Sequence, residues 1–156
     1  MLGFVFFLSQ LGVSAAGWAL EVGSTPPDFQ LQTLDGKSFQ LSEHRGELLI
    51  LKLGTTWCPS CRQQEMDLNE AAAFLKENQI RLVEVFLQDT EAMARETLAA
   101  SRLESPVDAM LDDGQVQKAY NIYLIPRVIL VDREFRVLSD GANLTAEQIK
   151  KGFGGQ

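Results

Sequence analysis

The sequence predicts a single α/β domain in which a mixed β-sheet is covered by helices on both faces. Three observations carry this expectation. Short apolar runs at 48–53, 81–87 and 127–131 read as buried strands, bounded by turn residues and rich in Leu, Ile and Val. Helical stretches separate the first runs, whereas 135–138 follows the last so closely that the two read as antiparallel neighbours. The composition is that of an ordinary globular domain: 156 residues, 46% hydrophobic and 22% charged, with no repeat or low-complexity stretch. A chain of this length buries roughly 70% of the surface its unfolded form exposes, so its core requires no disulfide or metal.

The elements follow in order. No charged residue stands between Met1 and Glu21, and the stretch between them is largely apolar, with small residues at Ser14, Ala15, Ala16, Gly17 and Ala19. Residues 1–20 therefore read as a signal peptide cleaved at a small-x-small site, or as an N-terminal membrane anchor. No Lys or Arg precedes the apolar run. The domain is then 21–156, placed in the periplasm or another extracytoplasmic, oxidising space. Residues 28–34 and 38–41 alternate around Asp35-Gly36-Lys37 and read as a hairpin. A strand at 48–53 leads into a helix at 59–78 that starts on Pro59, whose fixed φ suits the first helical position. Then come a strand at 81–87, an Ala-rich helix at 91–101, a short extended piece at 106–111 and a helix at 115–121. The paired strands 127–131 and 135–138 precede a closing helix at 145–153 with Thr145 as N-cap.

The chemistry lies in Trp57-Cys58-Pro59-Ser60-Cys61, which holds both cysteines of the chain. Two thiols at this spacing can exchange a pair of electrons as a disulfide. At a helix N-terminus, free N–H groups and the macrodipole favour the thiolate of Cys58. Cys61, a turn deeper, is the less accessible thiol. A structural staple is a poor use of the pair, because so small a loop constrains the unfolded chain little. A zinc site lacks ligands, since His44 is the only histidine, and it reads as a solvated loop residue. No cofactor is implied. A net charge of −7 without a basic cluster argues against a nucleic-acid partner.

Pro26-Pro27-Asp28-Phe29, Asp35-Gly36-Lys37, Trp57-Cys58-Pro59-Ser60-Cys61-Arg62 and the segment from Tyr120 through Ile125-Pro126 to Asp132 together resemble the TlpA/ResA-like branch of the thioredoxin superfamily. The resemblance implies a thioredoxin fold with an N-terminal hairpin extension and a central insertion. It also implies an exported thiol–disulfide oxidoreductase, with a cis Ile125–Pro126 bond. Cys58 would open a client disulfide and Cys61 would displace the client from the mixed disulfide. Trp57, Pro59, Ile125 and Pro126 would form the client-facing surface, with the Ile125 backbone pairing to an extended segment. Relatives imply a reductant fed by a membrane electron donor of the thioredoxin-reducing type. The client would be an exported thiol or disulfide protein, as in cytochrome c maturation, and the protein itself a monomer.

The chain departs from that pattern where protons must move. Lys52 stands six residues before Cys58, where thioredoxin has a buried aspartate, and Gln64 stands where many relatives have glutamate. Glu65 falls on the stripe Cys61, Glu65, Leu68, Ala72, Leu75, which is expected to face the core. Lys52 and Glu65 are therefore expected to meet beneath the cysteines and move a proton to and from Cys61; the alternative places both at the rim, with Lys52 reaching water. Two other functions compete. A peroxiredoxin-type thiol peroxidase would use Thr55, three residues before Cys58, but its motif wants proline where Leu51 stands. A non-catalytic thioredoxin-fold module would hold a client without exchanging disulfides.

Overall fold

The computed structural model describes residues 19–156, so the leader expectation for 1–20 falls almost wholly outside the described residues. Among the described residues no helix is long and apolar enough to cross a membrane.

The fold is built outward from β3 (Leu49–Gly54), whose six residues are all buried. A strand buried on both faces needs cover on both. β4 (Arg81–Phe86) pairs parallel to one edge of β3, and β5 (Val107–Leu111) continues parallel beyond it. β6 (Arg127–Val131) runs antiparallel along the other edge and β7 (Val137–Gly141) closes that side, for the order β5-β4-β3-β6-β7. Leu51, Leu53, Val83, Val85 and Ile129 point to one face, where they meet the hairpin of β1 (Gln30–Gln32) and β2 (Ser38–Gln40) through Leu31 and Phe39. Helix α4 (Gln115–Ala119) adds Val116 to this layer. On the opposite face Ile50, Leu82, Val128 and Leu130 pack against Leu68, Leu75 and Ile149. These come from α1 (Pro59–Glu70), α2 (Ala72–Glu77) and α5 (Ala146–Gly152). Helix α3 (Glu91–Ala100), capped by Thr90, covers Phe86 and Ala109 with Ala94. This is the mixed, doubly covered sheet of the thioredoxin fold, with the hairpin tied to the β5 edge by a Thr33–Met110 bridge.

Three expectations are corrected. The helix at 59–78 is two helices that bend at Ala71, where the hydrogen bonds to Asp67 and from Leu75 persist at 3.0 Å each. The bend lets Leu68, Ala71 and Leu75 all bury against a twisted sheet. The last strand begins at Val137 rather than 135, because Phe135 sits in the turn at φ +62°. Its ring is buried there under the Arg45 guanidinium, 4.4 Å from the ring centre, so its apolar character comes from the turn and not from the ladder. His44 is not a solvated loop residue: it stacks on Phe39 at 4.8 Å between ring centres, and its Nδ1 lies 2.9 Å from Glu47 Oε1.

One buried ion pair joins β6 to β7. Arg127 Nε donates to Asp140 Oδ1 at 2.8 Å, and the same guanidinium reaches the Tyr120 carbonyl. Asp140 also accepts from the Leu20 N–H, so it anchors the incoming chain. Asp140→Ala leaves the Arg127 charge buried without its partner and is expected to destabilise the fold by about 3–5 kcal/mol in urea denaturation. A loss below about 1 kcal/mol would mean that the pair behaves as a surface salt bridge.

Candidate active site

The site forms where β3 stops. Gly54 is the last residue of the strand, and a Cβ added there would lie 2.9 Å from Cys61 Sγ and 3.6 Å from Pro126 Cβ. Glycine thus lets the second thiol and the proline close in on the strand end together. The chain then turns through Thr56, whose N–H and Oγ1 both donate to the Asp89 carboxylate, at 2.8 and 2.7 Å. Asp89 lies between β4 and α3, so the turn is pinned from the next strand across.

Cys58 is the N-cap of α1, with extended backbone at φ −80° and ψ 125°, and Pro59 follows it as the first helical residue. The Cys61 N–H donates to Cys58 Sγ at 3.4 Å, and the Cys58 thiol in turn faces the Ile125 carbonyl at 3.9 Å. Both cysteines are free thiols. Cys58 is less open than its place at the helix start implies, with 9% of its surface exposed, while Cys61 retains 1%. The two differ further in ionisation. At Cys58 burial opposes the thiolate, but donation from the Cys61 thiol, the Cys61 and Ser60 N–H groups and the nearby Arg62 charge prevail, so its pKa lies below that of an ordinary thiol. At Cys61 burial dominates, and despite the Thr55 N–H its pKa is pushed up to about 11.

Around the pair, Trp57, Tyr123 and Leu124 are more than half exposed, Ile125 is half-buried and Pro126 is buried behind a cis peptide bond. Pro59 is exposed. A mostly apolar cleft bounded by Ile122, Leu124, Pro126 and Ala142 opens beside this loop. The sequence-predicted residues Cys58, Cys61, Ile125 and Pro126 are thus brought together, with Trp57 and Pro59 on the rim.

Lys52 does not reach water. It is 1% exposed, and its ammonium donates to Glu65 on α1 and to Glu84 on β4, the residue opposite it in the β3–β4 register. Glu65 keeps 17% of its side chain exposed, and Glu84 keeps 2%. The helical stripe holds at Cys61, Leu68 and Leu75, but Gln64 and Ala71 are fully buried where Glu65 and Ala72, half-buried beside them, were expected. Gln64 uses its burial to hold the loop before α5, exchanging two hydrogen bonds with the Leu144 backbone at 2.7 and 3.0 Å. Glu84 was legible as a lone charge inside an apolar strand, a rare occurrence without a partner. Gly54 was legible as a glycine ending one. Asp89 carried no such signal, because its role arises only from the spacing of β3 and β4.

A thioredoxin fold that ends its central strand on a C-x-x-C pair, with one thiol shielded and the other at the helix start, defines a thiol–disulfide oxidoreductase. The AhpC/TSA family model matches residues 22–139, and the chain belongs to that family, within its ResA-like group. It is 30% identical over 135 residues to thiol-disulfide oxidoreductase ResA of Geobacillus kaustophilus, covering 85% of this chain and 76% of that one. The ResA of Bacillus cereus is 25% identical over 149 residues, covering 96% and 84%. Among solved structures, StoA from Bacillus subtilis superposes with a TM-score of 0.63 at 26% identity, covering 81% of this chain and 96% of that one. A thiol:disulfide interchange protein of the thioredoxin family from Chlorobium tepidum shares the fold, with a TM-score of 0.71 at 20% identity over 86% and 96% of the two chains.

The thiols are expected to titrate in two separate steps of ultraviolet thiolate absorbance, one below the ordinary thiol range and one near 11. A single step for both would contradict the geometry. A second expectation concerns Glu84, which burial, with Glu65 adding to it and Lys52 opposing, raises from 4.5 to about 8. Folded Glu84 keeps a proton that the unfolded chain releases near 4.5, so this group makes stability fall as pH rises between about 4.5 and 8. Urea midpoints across that window should show a decline that Glu84→Gln removes.

Proposed function

We propose that the protein is an exported reductant of protein disulfides in which Cys58 attacks and Cys61 resolves. The observation that carries this reading is the asymmetry of the two sulfurs: one caps α1 and ionises readily, while the other is enclosed and holds its proton. The Cys58 thiolate forms a bond to one sulfur of the client disulfide, and the other sulfur leaves with the electron pair. Cys61 then loses its proton and attacks Cys58 Sγ, which forms the Cys58–Cys61 disulfide and releases the client dithiol. The pair is oxidised by two electrons, which a membrane electron donor of the thioredoxin-reducing type restores. Lys52 and Glu65 serve the proton transfer at Cys61.

The backbone of Ile125, facing Cys58, pairs with an extended client segment, while Trp57, Pro59 and Pro126 border it. The apolar, uncharged composition of residues 1–20 supports export by a signal peptide or an anchor, and with it an exported thiol or disulfide protein as client. Apocytochrome c belongs to that class.

Reduction of insulin disulfides tests the reading. Cys58→Ser is expected to fall to the background rate, and Cys61→Ser to accumulate a mixed disulfide detectable by intact mass. A reduction potential near thioredoxin's, about −270 mV, fits a reductant, whereas one near about −120 mV would make the protein an oxidant. Peroxide consumption outpacing insulin reduction would favour the thiol peroxidase instead, and client binding retained by Cys58→Ser without any exchange would favour a passive module.

A further inference from the structure

Beneath Cys61 the fold encloses three ionisable side chains whose charges do not cancel. Lys52 on β3 donates to both Glu65 on α1 and Glu84 on β4. Two carboxylates on one ammonium would leave a net negative charge in the interior, next to a thiol that must itself become anionic. Burying an uncompensated charge is costly, and the ordinary relief is for one carboxyl group to keep its proton. The surroundings identify which one. Glu65 reaches the rim, with 17% of its side chain exposed, so water can stabilise its charge. Glu84 has no such outlet. β3 faces it with Lys52 and α1 faces it with Glu65, with Cys61 one turn before Glu65 on that helix. β5 offers Ala109 in register, and α3 covers that side with Ala94.

We propose that Glu84, held against Lys52, stores the proton that Cys61 takes up when the Cys58–Cys61 disulfide opens. The inference rests on the thiol–disulfide reading of the same site and assigns the proton store to a residue on the neighbouring strand. In re-reduction, the attacking thiolate bonds to Cys58 Sγ, the Cys58–Cys61 bond breaks, and the electron pair leaves on Cys61 Sγ. The positive charge of Lys52 acts on that sulfur, and the Glu84 carboxyl gives up the proton that Cys61 takes, while Lys52 keeps its own. Glu84 is left as a carboxylate paired with Lys52, and Glu65 at the rim returns a proton from solvent. Running the steps backwards, the same carboxylate accepts the Cys61 proton as the disulfide closes. The burial that raises Glu84 to about 8 makes it a weaker acid than an ordinary carboxyl but a stronger one than the Cys61 thiol near 11, so transfer to the sulfur runs downhill.

The test is stopped-flow reduction of the disulfide form by dithiothreitol, followed by tryptophan fluorescence from acid to alkaline pH and corrected for the thiolate fraction of the reductant. The wild-type rate should fall as pH rises through the Glu84 titration. Glu84→Gln, which keeps the shape and one hydrogen-bond acceptor, should slow the neutral-pH rate by about a hundredfold and flatten the profile. Glu65→Gln, which removes the second negative charge, should move the fall in rate to lower pH. Carboxyl-carbon NMR titration of the glutamates in the wild-type protein decides the matter even if the variant fails to fold. A Glu84 resonance that titrates above neutrality supports the store, and one in the ordinary carboxylate range overturns it. An unchanged pH profile in folded Glu84→Gln also overturns it while leaving the reductase reading intact. Failure of the wild type to reduce insulin would instead strike that reading, with the carboxyl titration still deciding the charge state of Glu84.

Discussion

The hydrogen bond from the Cys61 N–H to Cys58 Sγ organises this molecule's chemistry, because it makes a reactive sulfur do the work of a helix cap. A helix N-terminus leaves several N–H groups without partners, and serine, threonine or aspartate usually satisfies one of them. Here a thiol takes that place, and the unpaired donors that would otherwise be a cost stabilise its ionised form. The geometry also ranks the two cysteines. Three residues of helix carry Cys61 from the rim into the space left by Gly54, where burial works against its ionisation. A single local motif thereby yields one readily ionised thiol and one reluctant one.

That arrangement needs a rigid floor, which β3 supplies. Its six buried residues take partners on both edges and cover on both faces, so the end of the strand is fixed from every side. Lys52 is the exception in this apolar element. A lysine in such a place is tolerable only because carboxyl groups meet it, Glu65 balancing its charge and Glu84 adding a buried hydrogen-bond partner. Stability gained from packing around β3 thus supports a polar cluster that packing alone would not favour. The pair Arg127–Asp140 does the equivalent on the other side of Pro126, fixing the start of β6 just past the cis bond.

The client-facing surface proposed for this site follows from the same construction. Trp57, Tyr123 and Leu124 stay exposed around a shielded sulfur, and the Ile125 carbonyl points to that sulfur. Exposed aromatic and aliphatic side chains beside the Ile125 carbonyl would suit an extended segment recognised mainly through its main chain.

Much of this was readable before any coordinates. Apolar runs broken by helical stretches specified the mixed sheet, because strands buried on two faces have nothing polar to alternate with. Cys58-Pro59-Ser60-Cys61 after such a run specified the helix start and the unequal thiols, since capping and proline preferences act over only a few residues. The meeting of Lys52 with Glu65 was also inferable, from helical spacing and the scarcity of unpaired buried charge. The third member was not assigned: the register that sets Glu84 opposite Lys52 is a property of two strands 32 residues apart, and no local preference encodes it. The same holds for Asp89 beneath Thr56, for Gln64 against the Leu144 backbone and for Phe135 in its turn. Local sequence determined which segments form elements and where the sulfur chemistry begins. Only the tertiary structure decided which charges face each other, because strand pairing and helix rotation are settled by packing across the whole sheet.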